Sequence, residues 1–314
     1  MEKTLVTGGT GLVGSALKKL NPDAIYLSSK EYDLTKEDQV IAMYEKYRPE
    51  KVIHLAARVG GILDNQRYQA QYFYQNVLLN TYVIHYAQVY GVKRLMGFGS
   101  NCAYPDTVSE YPLKEEQLHD GPPAITNFSY ALAKRALLTQ IQAYRTQYNC
   151  DFFALIPCSL YGPHDNFDEE NSHFIASLIR KIHQAKSRNM KTIKLFGSGK
   201  PLRQFMFSED LAKIILLLLD KYEGNDPINV GPTDNLSIRE IAEIALKATD
   251  SEHLKIEFDA SSPDGQFRKD LSTEKLTRAI GDVAMTPMEE GLMKTYDWYL
   301  NNAKKSGAHK CLKL

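Results

Sequence analysis

The stretch Thr7-Gly8-Gly9-Thr10-Gly11-Leu12-Val13-Gly14 decides the fold of this chain of 314 residues. It follows a β-rich run at residues 3–7 and opens a segment, residues 11–20, in which apolar side chains recur at helical spacing. In this context three glycines predict a dinucleotide site, whereas alone they would predict only a tight turn. Gly8 and Gly11 let the backbone approach a pyrophosphate, and Gly14 lets the helix pack closely on the strand. We therefore expect a dinucleotide to contact Gly8, Gly11, Leu12 and Val13.

Strands and helices continue to alternate after this turn. The patterns predict strands at residues 24–27, 51–55, 94–99 and 151–156, and helices at residues 37–47, 68–90 and 130–148. Strands separated by helices of this length form βαβ units, so we predict an α/β fold with a doubly wound, parallel Rossmann sheet. Ligands of such sheets lie beyond the carboxyl ends of the strands, so we expect the functional residues directly after strands.

Beyond residue 160 the spacing becomes irregular and predicts a smaller α/β lobe. Its predicted elements are a loop at 164–170, a helix at 172–186, a strand at 192–196 and a turn at 197–201. Later helices, at 209–219, 237–248 and 288–301, are expected to divide between the two lobes. We predict a cofactor-binding domain over residues 1–160, to which segments such as 205–235 return. Residues 161–314 should mainly form a substrate-binding lobe, with residues 303–314 as a loose tail.

The composition excludes several classes of protein. Lys+Arg and Asp+Glu both total 38, so nothing indicates a general polyanion binder. The longest apolar run, at residues 214–219, is too short to span a membrane, and the first residues run straight into a strand; we therefore expect a cytoplasmic protein. The four cysteines, Cys102, Cys150, Cys158 and Cys311, have no CxxC spacing, which indicates neither a disulfide framework nor a metal site.

The end of the second predicted strand bears on the choice between NAD and NADP. An acidic residue there binds the free ribose 2′-hydroxyl of NAD, whereas the 2′-phosphate of NADP needs hydrogen-bond donors and positive charge. The strand ends in Ser28-Ser29-Lys30, which favours NADP(H), although Glu31 follows directly. Asp33 and Leu34 are then expected to border the adenine. An alternative for Asp33 is the N-cap of a helix that begins near Thr35.

A tyrosine and a lysine four residues apart indicate the chemistry. Tyr130 and Lys134 lie on one face of the predicted helix, where the ammonium group is expected to lower the pKa of the phenol and make it a proton donor to a carbonyl. Ser100 ends the fourth predicted strand, and its hydroxyl can hold the same carbonyl oxygen. Such pairs also occur on ordinary surface helices, so this prediction depends on the glycine turn and on Ser100.

Six segments of the chain resemble those of a known family: residues 54–61, 100–105, 130–134, 156–166, 203–205 and 263–265. In these segments, and in the glycine turn, the chain resembles the extended short-chain dehydrogenase/reductase family, and specifically its members that act on GDP-4-keto-6-deoxy sugars. The resemblance implies that Ser100, Tyr130 and Lys134 are the reductase triad, with Tyr130 as proton donor to the 4-keto oxygen. It also implies that Cys102 and His173 are the acid/base pair of an epimerisation.

The residue types of this pair fit that chemistry. A carbon next to a ketone is acidic through its enolate, and its inversion needs removal of a proton on one face and delivery on the other. A thiolate and an imidazole can do this near neutral pH. Without the resemblance, Cys102 would be interpreted as a small buried hydrophobic residue and His173 as a residue at a helix start.

The resemblance also implies contacts to the two ligands. For the cofactor it adds Leu55, Ala56, Ala57, Pro157, Ser159 and Leu160, while Cys158 is interpreted as a packing residue. For the GDP-sugar it adds Asn166, Lys181, Phe196, Arg203 and Asp264. Lys181 and Arg203 would face the diphosphate, although a solvated helix face explains Lys181 nearly as well. Asn101, Ala103 and Phe196 depart from the residues expected at these positions.

The resemblance implies an NADPH-dependent oxidoreductase that epimerises C3 and C5 of GDP-4-keto-6-deoxy-mannose and then reduces C4, giving GDP-L-fucose. One alternative is a C4-reductase only, acting on a related GDP-4-keto-6-deoxy sugar such as a heptose. A second alternative, a non-catalytic NADP(H) sensor on the same fold, predicts a broken triad. The resemblance further implies a homodimer that pairs through the helices at 68–90 and 130–148.

Overall fold

The computed structural model describes residues 2–224, 226–261 and 264–303. The strands are β1 (Thr4–Thr7), β2 (Ile25–Leu27), β3 (Lys51–His54), β4 (Arg94–Phe98), β5 (Asp151–Pro157), β6 (Ser159–Tyr161), β7 (Thr192–Phe196), β8 (Leu202–Arg203), β9 (Phe205–Phe207), β10 (Ile228–Val230), β11 (Leu236–Ser237) and β12 (Lys255–Asp259). The helices are α1 (Leu12–Leu20), α2 (Glu37–Tyr47), α3 (Ile62–Arg67), α4 (Gln69–Val89), α5 (Phe128–Tyr148), α6 (Phe174–Ser187), α7 (Ser208–Lys221), α8 (Ile238–Ala248), α9 (Glu274–Ile280) and α10 (Met288–Ala303).

A six-stranded sheet organises the first part of the chain, and its order is β10-β5-β4-β3-β1-β2. Every neighbouring pair in this sheet is parallel. The chain passes from β1 to β2 on one side and then to β3 on the other side of β1, so the strand order reverses beside the glycine turn. The predicted doubly wound Rossmann sheet is confirmed.

The described residues form two hydrophobic cores. The first surrounds the six-stranded sheet, and it also takes in Leu211 and Ile214 of α7 and Leu276 of α9, which come late in the chain. α7 packs directly against α1. The second core joins α6, α8 and α10 to the parallel pair of β7 and β12. Residues after position 160 therefore contribute to both cores.

The long elements lie within two residues of the predicted bounds, whereas several short ones were missed. The sequence did not predict α3, α9, β6 or the strands β8 to β12, because two to seven residues are too few to display a period. The predicted tail starts at residue 303, which ends α10. Cys311 and Pro263, which belong to earlier predictions, lie outside the described residues.

Two absences apply to the described part of the chain. None of its helices is long and apolar enough to cross a membrane. In the same residues, no group of three or more His, Cys, Asp or Glu side chains is placed to hold a metal ion.

Candidate active site

The glycine turn has the geometry that a bound anion requires. Gly8 has a φ of +69°, and a Cβ atom there would lie 2.8 Å from the Ala56 nitrogen. A Cβ atom at Gly14 would lie 2.6 Å from the Gly8 oxygen, so only glycine allows α1 to pack this closely. Gly11 precedes α1, whose first turn has neither a side-chain cap nor an acidic residue, and Leu12 and Val13 form that turn. The N–H groups at this helix start are available to a phosphate.

The residues after β2 form a second part of the candidate nucleotide site. Glu31 belongs to this turn, where its carboxylate accepts hydrogen bonds from the Ser28 nitrogen and hydroxyl, both at 2.9 Å. Ser29 and Lys30 are exposed at this turn. The hydroxyls and the lysine thus lie at the carboxyl end of the strand beside β1.

Asp33 does not cap the following helix, so that alternative is wrong. Its carboxylate accepts hydrogen bonds from the Thr35 nitrogen at 3.1 Å and the Thr35 hydroxyl at 2.7 Å. α2 begins only at Glu37, with Lys36 as its N-cap residue. Asp33 therefore closes a turn ahead of the helix, and Leu34 packs partly against the first core.

A buried network that the sequence did not reveal positions the end of β3. The His54 ring lies 2.8 Å from the Thr7 hydroxyl and 3.1 Å from the Asn80 amide oxygen. The Ala56 nitrogen donates to the Thr7 hydroxyl at 3.3 Å, and the Leu55 nitrogen donates to the Thr7 carbonyl at 3.2 Å. Burial lowers the pKa of His54 to about 3, so the ring stays neutral. The network fixes the backbone of Leu55 and Ala56, with Ala57 next along the chain, against the glycine turn.

Ser100, Tyr130 and Lys134 come together beyond β4. Ser100 starts a short 3-10 turn, and its hydroxyl accepts a hydrogen bond from the Cys102 nitrogen at 3.2 Å. The Lys134 ammonium lies 5.8 Å from the centre of the Tyr130 ring and donates to the Phe98 carbonyl at 2.7 Å. The triad residues therefore lie on adjacent elements, at the carboxyl end of β4 and on the first turns of α5.

The electrostatics of this cluster differ from the expectation. Burial raises the pKa of Tyr130, and interaction with the Ser100 hydroxyl opposes the rise. Burial also lowers the pKa of Lys134 to about 8. The prediction that Lys134 lowers the pKa of the phenol is wrong for this structure, because burial disfavours the charged forms of both groups.

Cys102 is half-buried and has two cationic neighbours. The Lys269 ammonium lies 4.0 Å from the Cys102 sulfur. Burial lowers the pKa of Arg203, while Cys102 and Asp264 raise it, so these groups lie within electrostatic range of each other. Lys269 could not be inferred from the sequence, since only the fold brings it next to Cys102.

His173 approaches this region from the second lobe. It precedes α6, and its side chain makes no capping hydrogen bond, so a role at the helix start explains its backbone but not its ring. The residue is exposed, and desolvation by the surrounding protein lowers the pKa of its ring. Two residues earlier, the Asn171 carbonyl accepts a hydrogen bond from the Gly61 nitrogen at 3.3 Å, where α3 begins.

The residues expected to bind the GDP-sugar all have partners within the protein. Lys181 does not lie on a freely solvated face: its ammonium donates to the Lys194 carbonyl at 2.8 Å and lies 5.0 Å from the centre of the exposed Phe196 ring. Arg203 donates to the Leu202 carbonyl at 2.7 Å. Asp264 accepts hydrogen bonds from the Ser198 nitrogen and hydroxyl at 2.6 and 2.8 Å.

Asn166 has a local partner as well. Its side-chain oxygen accepts a hydrogen bond from the Asp168 nitrogen at 3.0 Å, which shapes the loop ahead of α6. Pro157 ends β5, and Ser159 and Leu160 begin β6, which pairs with β9. Cys158 between them is buried, its nitrogen donates to the Val230 carbonyl at 2.8 Å, and burial raises the pKa of its thiol. These are the properties of a packing residue.

The comparisons with known proteins agree with this geometry. The model of the NAD dependent epimerase/dehydratase family matches residues 4–231. A GDP-L-fucose synthase from Sinorhizobium fredii is 39% identical over 301 residues, which are 95% of this chain and 95% of that protein. A crystal structure of a GDP-L-fucose synthetase from Naegleria fowleri bound to NADP has a TM-score of 0.90 and 35% identity, and the match covers 96% of this chain and 95% of that one.

The name of a third similar protein gives a different substrate. The structure of a GDP-6-OMe-4-keto-L-xylo-heptose reductase from C. jejuni has a TM-score of 0.87 and 25% identity, and the match covers 96% of this chain and 98% of that one. The chain thus shares its fold with these proteins along nearly its whole length. On that fold it has the glycine turn, the serine at the end of β4, and the tyrosine and lysine of α5. The chain belongs to the NAD dependent epimerase/dehydratase family.

Proposed function

We propose that this protein is an NADPH-dependent enzyme that epimerises GDP-4-keto-6-deoxy-mannose at C3 and C5 and then reduces C4, giving GDP-L-fucose. The observation that carries the proposal is the cluster of Ser100, Cys102 and Tyr130, which brings the proton donor of the reduction together with one member of the epimerisation pair. The full-length similarity to curated GDP-L-fucose synthases supports it.

The residues around the glycine turn fit NADP(H). The uncapped start of α1 and the close approach at Gly8 suit a pyrophosphate, and Ser28, Ser29 and Lys30 suit the 2′-phosphate. The bound cofactor supplies a hydride to C4. The name of the Naegleria fowleri structure, which holds NADP, supports this assignment.

The reduction follows from the state of Tyr130. Because burial raises the pKa of its phenol, Tyr130 stays protonated at neutral pH and can donate that proton to the 4-keto oxygen. Ser100 holds the same oxygen with its hydroxyl. Lys134 lies beside the ring, where its ammonium group can orient the cofactor and return a proton to the phenolate after the transfer.

The epimerisation uses Cys102 and His173. One group removes the proton from the carbon beside the ketone, which leaves an enolate, and the other delivers a proton to the opposite face. His173 has a lowered pKa, so its imidazole is neutral and able to accept a proton at pH 7. Cys102 then delivers the proton of its thiol to the opposite face, and Lys269, 4.0 Å from the sulfur, adds positive charge that stabilises the thiolate left behind.

The rest of the assignment belongs to the same proposal. Residues 1–160 with the returning segments bind the cofactor, and residues 161–314 mainly bind the GDP-sugar through Asn166, Lys181, Phe196, Arg203 and Asp264. The cytoplasmic location stays a prediction.

A homodimer is also part of the proposal. α4 and α5 pack side by side and leave an apolar groove that contains the small side chains Ala133, Ala136 and Ala143. A second copy of the same helix pair would cover this groove, in line with the resemblance.

The second candidate function is a C4-reductase that does not epimerise. The structural similarity to the heptose reductase from C. jejuni supports it. The presence of both Cys102 and His173 favours the two-step enzyme. The non-catalytic sensor is disfavoured, since Ser100, Tyr130 and Lys134 are all present and clustered.

Identification of the product separates these functions. The enzyme is incubated with GDP-4-keto-6-deoxy-mannose and NADPH, and the sugar is examined by NMR. GDP-L-fucose supports the proposal; a product that is reduced at C4 but keeps the manno configuration at C3 and C5 supports the second candidate function. Absence of any reduction would favour the sensor.

A further inference from the structure

The short helix α3 connects the two halves of the candidate site. At its start, the Gly61 nitrogen donates to the Asn171 carbonyl at 3.3 Å, two residues before His173. A Cβ atom at Gly61 would lie 3.0 Å from the Ser172 carbonyl, so the two segments touch. α3 also packs against the 3-10 turn Ile125–Asn127, which leads directly into the helix of Tyr130. Any shift of α3 would therefore reach both His173 and Tyr130.

One hydrogen bond fixes α3 to α4. The Tyr72 hydroxyl donates to the Asp64 carboxylate at 2.5 Å. Tyr72 lies on α4 and is fully buried, and Asp64 lies in the first turn of α3. A Cβ atom at Gly60 would come within 2.3 Å of the Tyr72 hydroxyl oxygen and 2.9 Å of the Asp64 carboxylate. The chain thus leaves room for this pair by having glycine at position 60.

The ring of Tyr72 makes a separate contact. It stands edge to face against the Tyr130 ring, with the centroids 6.2 Å apart and an angle of 87° between the planes. The Arg58 guanidinium lies 5.0 Å from the centre of the Tyr72 ring, and the Arg58 nitrogen is held by the Asn76 amide oxygen at 3.0 Å. The Tyr72 ring is thereby fixed as a support for the phenol that donates the proton.

We propose that Tyr72 is a positioning residue for both half-reactions, a role that rests on the proposed function. Its ring supports Tyr130 for the reduction. Its hydroxyl, through Asp64, holds α3 and with it the segment that carries His173 for the epimerisation. Ring and hydroxyl therefore act on different steps, and substitutions can separate them.

Tyr72→Phe keeps the ring and removes the hydrogen bond. We expect deuterium exchange at C3 and C5 of the substrate to slow by about tenfold to 100-fold, because small misplacements of an acid/base group cost this much. Reduction of a substrate that is already epimerised should change by less than about twofold, since the Tyr130 support remains. Tyr72→Leu should lower both rates.

Two variants of the partner residue test the hydrogen bond itself. Asp64→Ala should behave like Tyr72→Phe. Asp64→Asn should restore most of the exchange, because its amide oxygen still accepts from the Tyr72 hydroxyl. A purely structural role for the pair would not give this split between exchange and reduction.

The control is Tyr74→Phe, which removes the hydroxyl of an exposed tyrosine on the same helix and should change neither rate. Amide hydrogen exchange of residues 60–68 in the enzyme without substrate gives a second measurement. Tyr72→Phe should make these amides exchange faster, while circular dichroism confirms the fold.

The proposal is overturned if Tyr72→Phe leaves the amides of α3 as protected as in the unsubstituted protein, or lowers exchange and reduction by the same factor. A different result contradicts the proposed function: the unsubstituted enzyme would reduce its substrate without any exchange at C3 and C5. The amide measurement stays informative in that case, so the two failures can be distinguished.

Discussion

Tyr130→Phe removes a single oxygen atom, the one that donates the proton in the proposed reduction. Without a positioned acid, reduction of C4 should slow by about 100-fold to 10,000-fold. Exchange at C3 and C5 should continue, because Cys102 and His173 are untouched. Stopped-flow loss of NADPH absorbance and NMR of the sugar measure the two rates, and reduction at the normal rate would contradict the role of Tyr130.

Cys102→Ser is the complementary change. A hydroxyl is a much weaker acid than a thiol, so exchange at the sugar carbons should be lost, while a substrate that is already epimerised should still be reduced. Cys158→Ser is the matched control, because that thiol is buried among packing residues. If exchange continues in Cys102→Ser, another residue moves the proton.

The pH dependence of exchange reports on His173. Desolvation by the surrounding protein lowers its pKa from the ordinary value of 6.5, so the neutral base persists to lower pH than for a histidine free in solution. As the pH falls, exchange should therefore decline only clearly below 6.5. The initial rate of deuterium incorporation measured against pH tests this. A decline that begins above this value would contradict the role of His173 as the base.

Catalytic residues could be inferred from the sequence where a local pattern, such as a strand end or one face of a helix, fixes their position. Ser100 follows a strand and Tyr130 and Lys134 share a helix face, so both could be inferred from the chain itself. Lys269 beside Cys102 and Tyr72 beside Tyr130 could not, because they become neighbours only through tertiary packing. The pKa of Tyr130 was misjudged for the same reason, since burial is a property of the fold.

At the scale of an element, Gly14 controls how closely α1 approaches β1. In Gly14→Ala the new methyl group would meet backbone atoms of Gly8 and Gly9 at 2.6 Å, so α1 must move. The free energy of unfolding should fall by about 1–3 kcal/mol, the usual range for overpacking.

Gly11→Ala is the matched control for Gly14→Ala. Its methyl group would have a single neighbour, the Gly8 oxygen at 3.4 Å, and its φ of −79° suits alanine. Thermal or urea unfolding compares the two variants. Equal losses of stability would contradict the close-packing argument.

Element length decided which parts of the fold could be predicted. The helices at 37–47 and 130–148 display several turns of apolar periodicity, whereas β10 has three residues. β10 nevertheless completes the six-stranded sheet beside β5, because Ile228 and Val230 are fully buried there. Burial of this kind depends on partners that a local pattern does not contain.

At the scale of the whole molecule, the groove between α4 and α5 predicts the oligomeric state. Ala136→Arg places a long cation in the centre of the groove and should convert a dimer to a monomer, because a charge would be buried without a partner. Glu252→Arg, an exposed position on the other lobe, is the control. Sedimentation velocity distinguishes the two, and a dimer that survives Ala136→Arg would place the interface elsewhere.

In the two hydrophobic cores, residues that are far apart in sequence pack together. The first core recruits Leu211, Ile214 and Leu276 from the later part of the chain, so neither lobe is a continuous segment. Near the candidate site the Gly61 nitrogen donates to the Asn171 carbonyl, two residues before His173, so segments far apart in sequence meet there. The exact boundaries of the ligand-binding lobes stay a prediction.

The most direct test of the central claim is solvent exchange without reduction. The enzyme is incubated with GDP-4-keto-6-deoxy-mannose in deuterium oxide, first without and then with NADPH, and the sugar is followed by NMR. We predict deuterium at both C3 and C5 before NADPH is added, and GDP-L-fucose afterwards. Reduction of C4 with no label at either carbon would contradict the account.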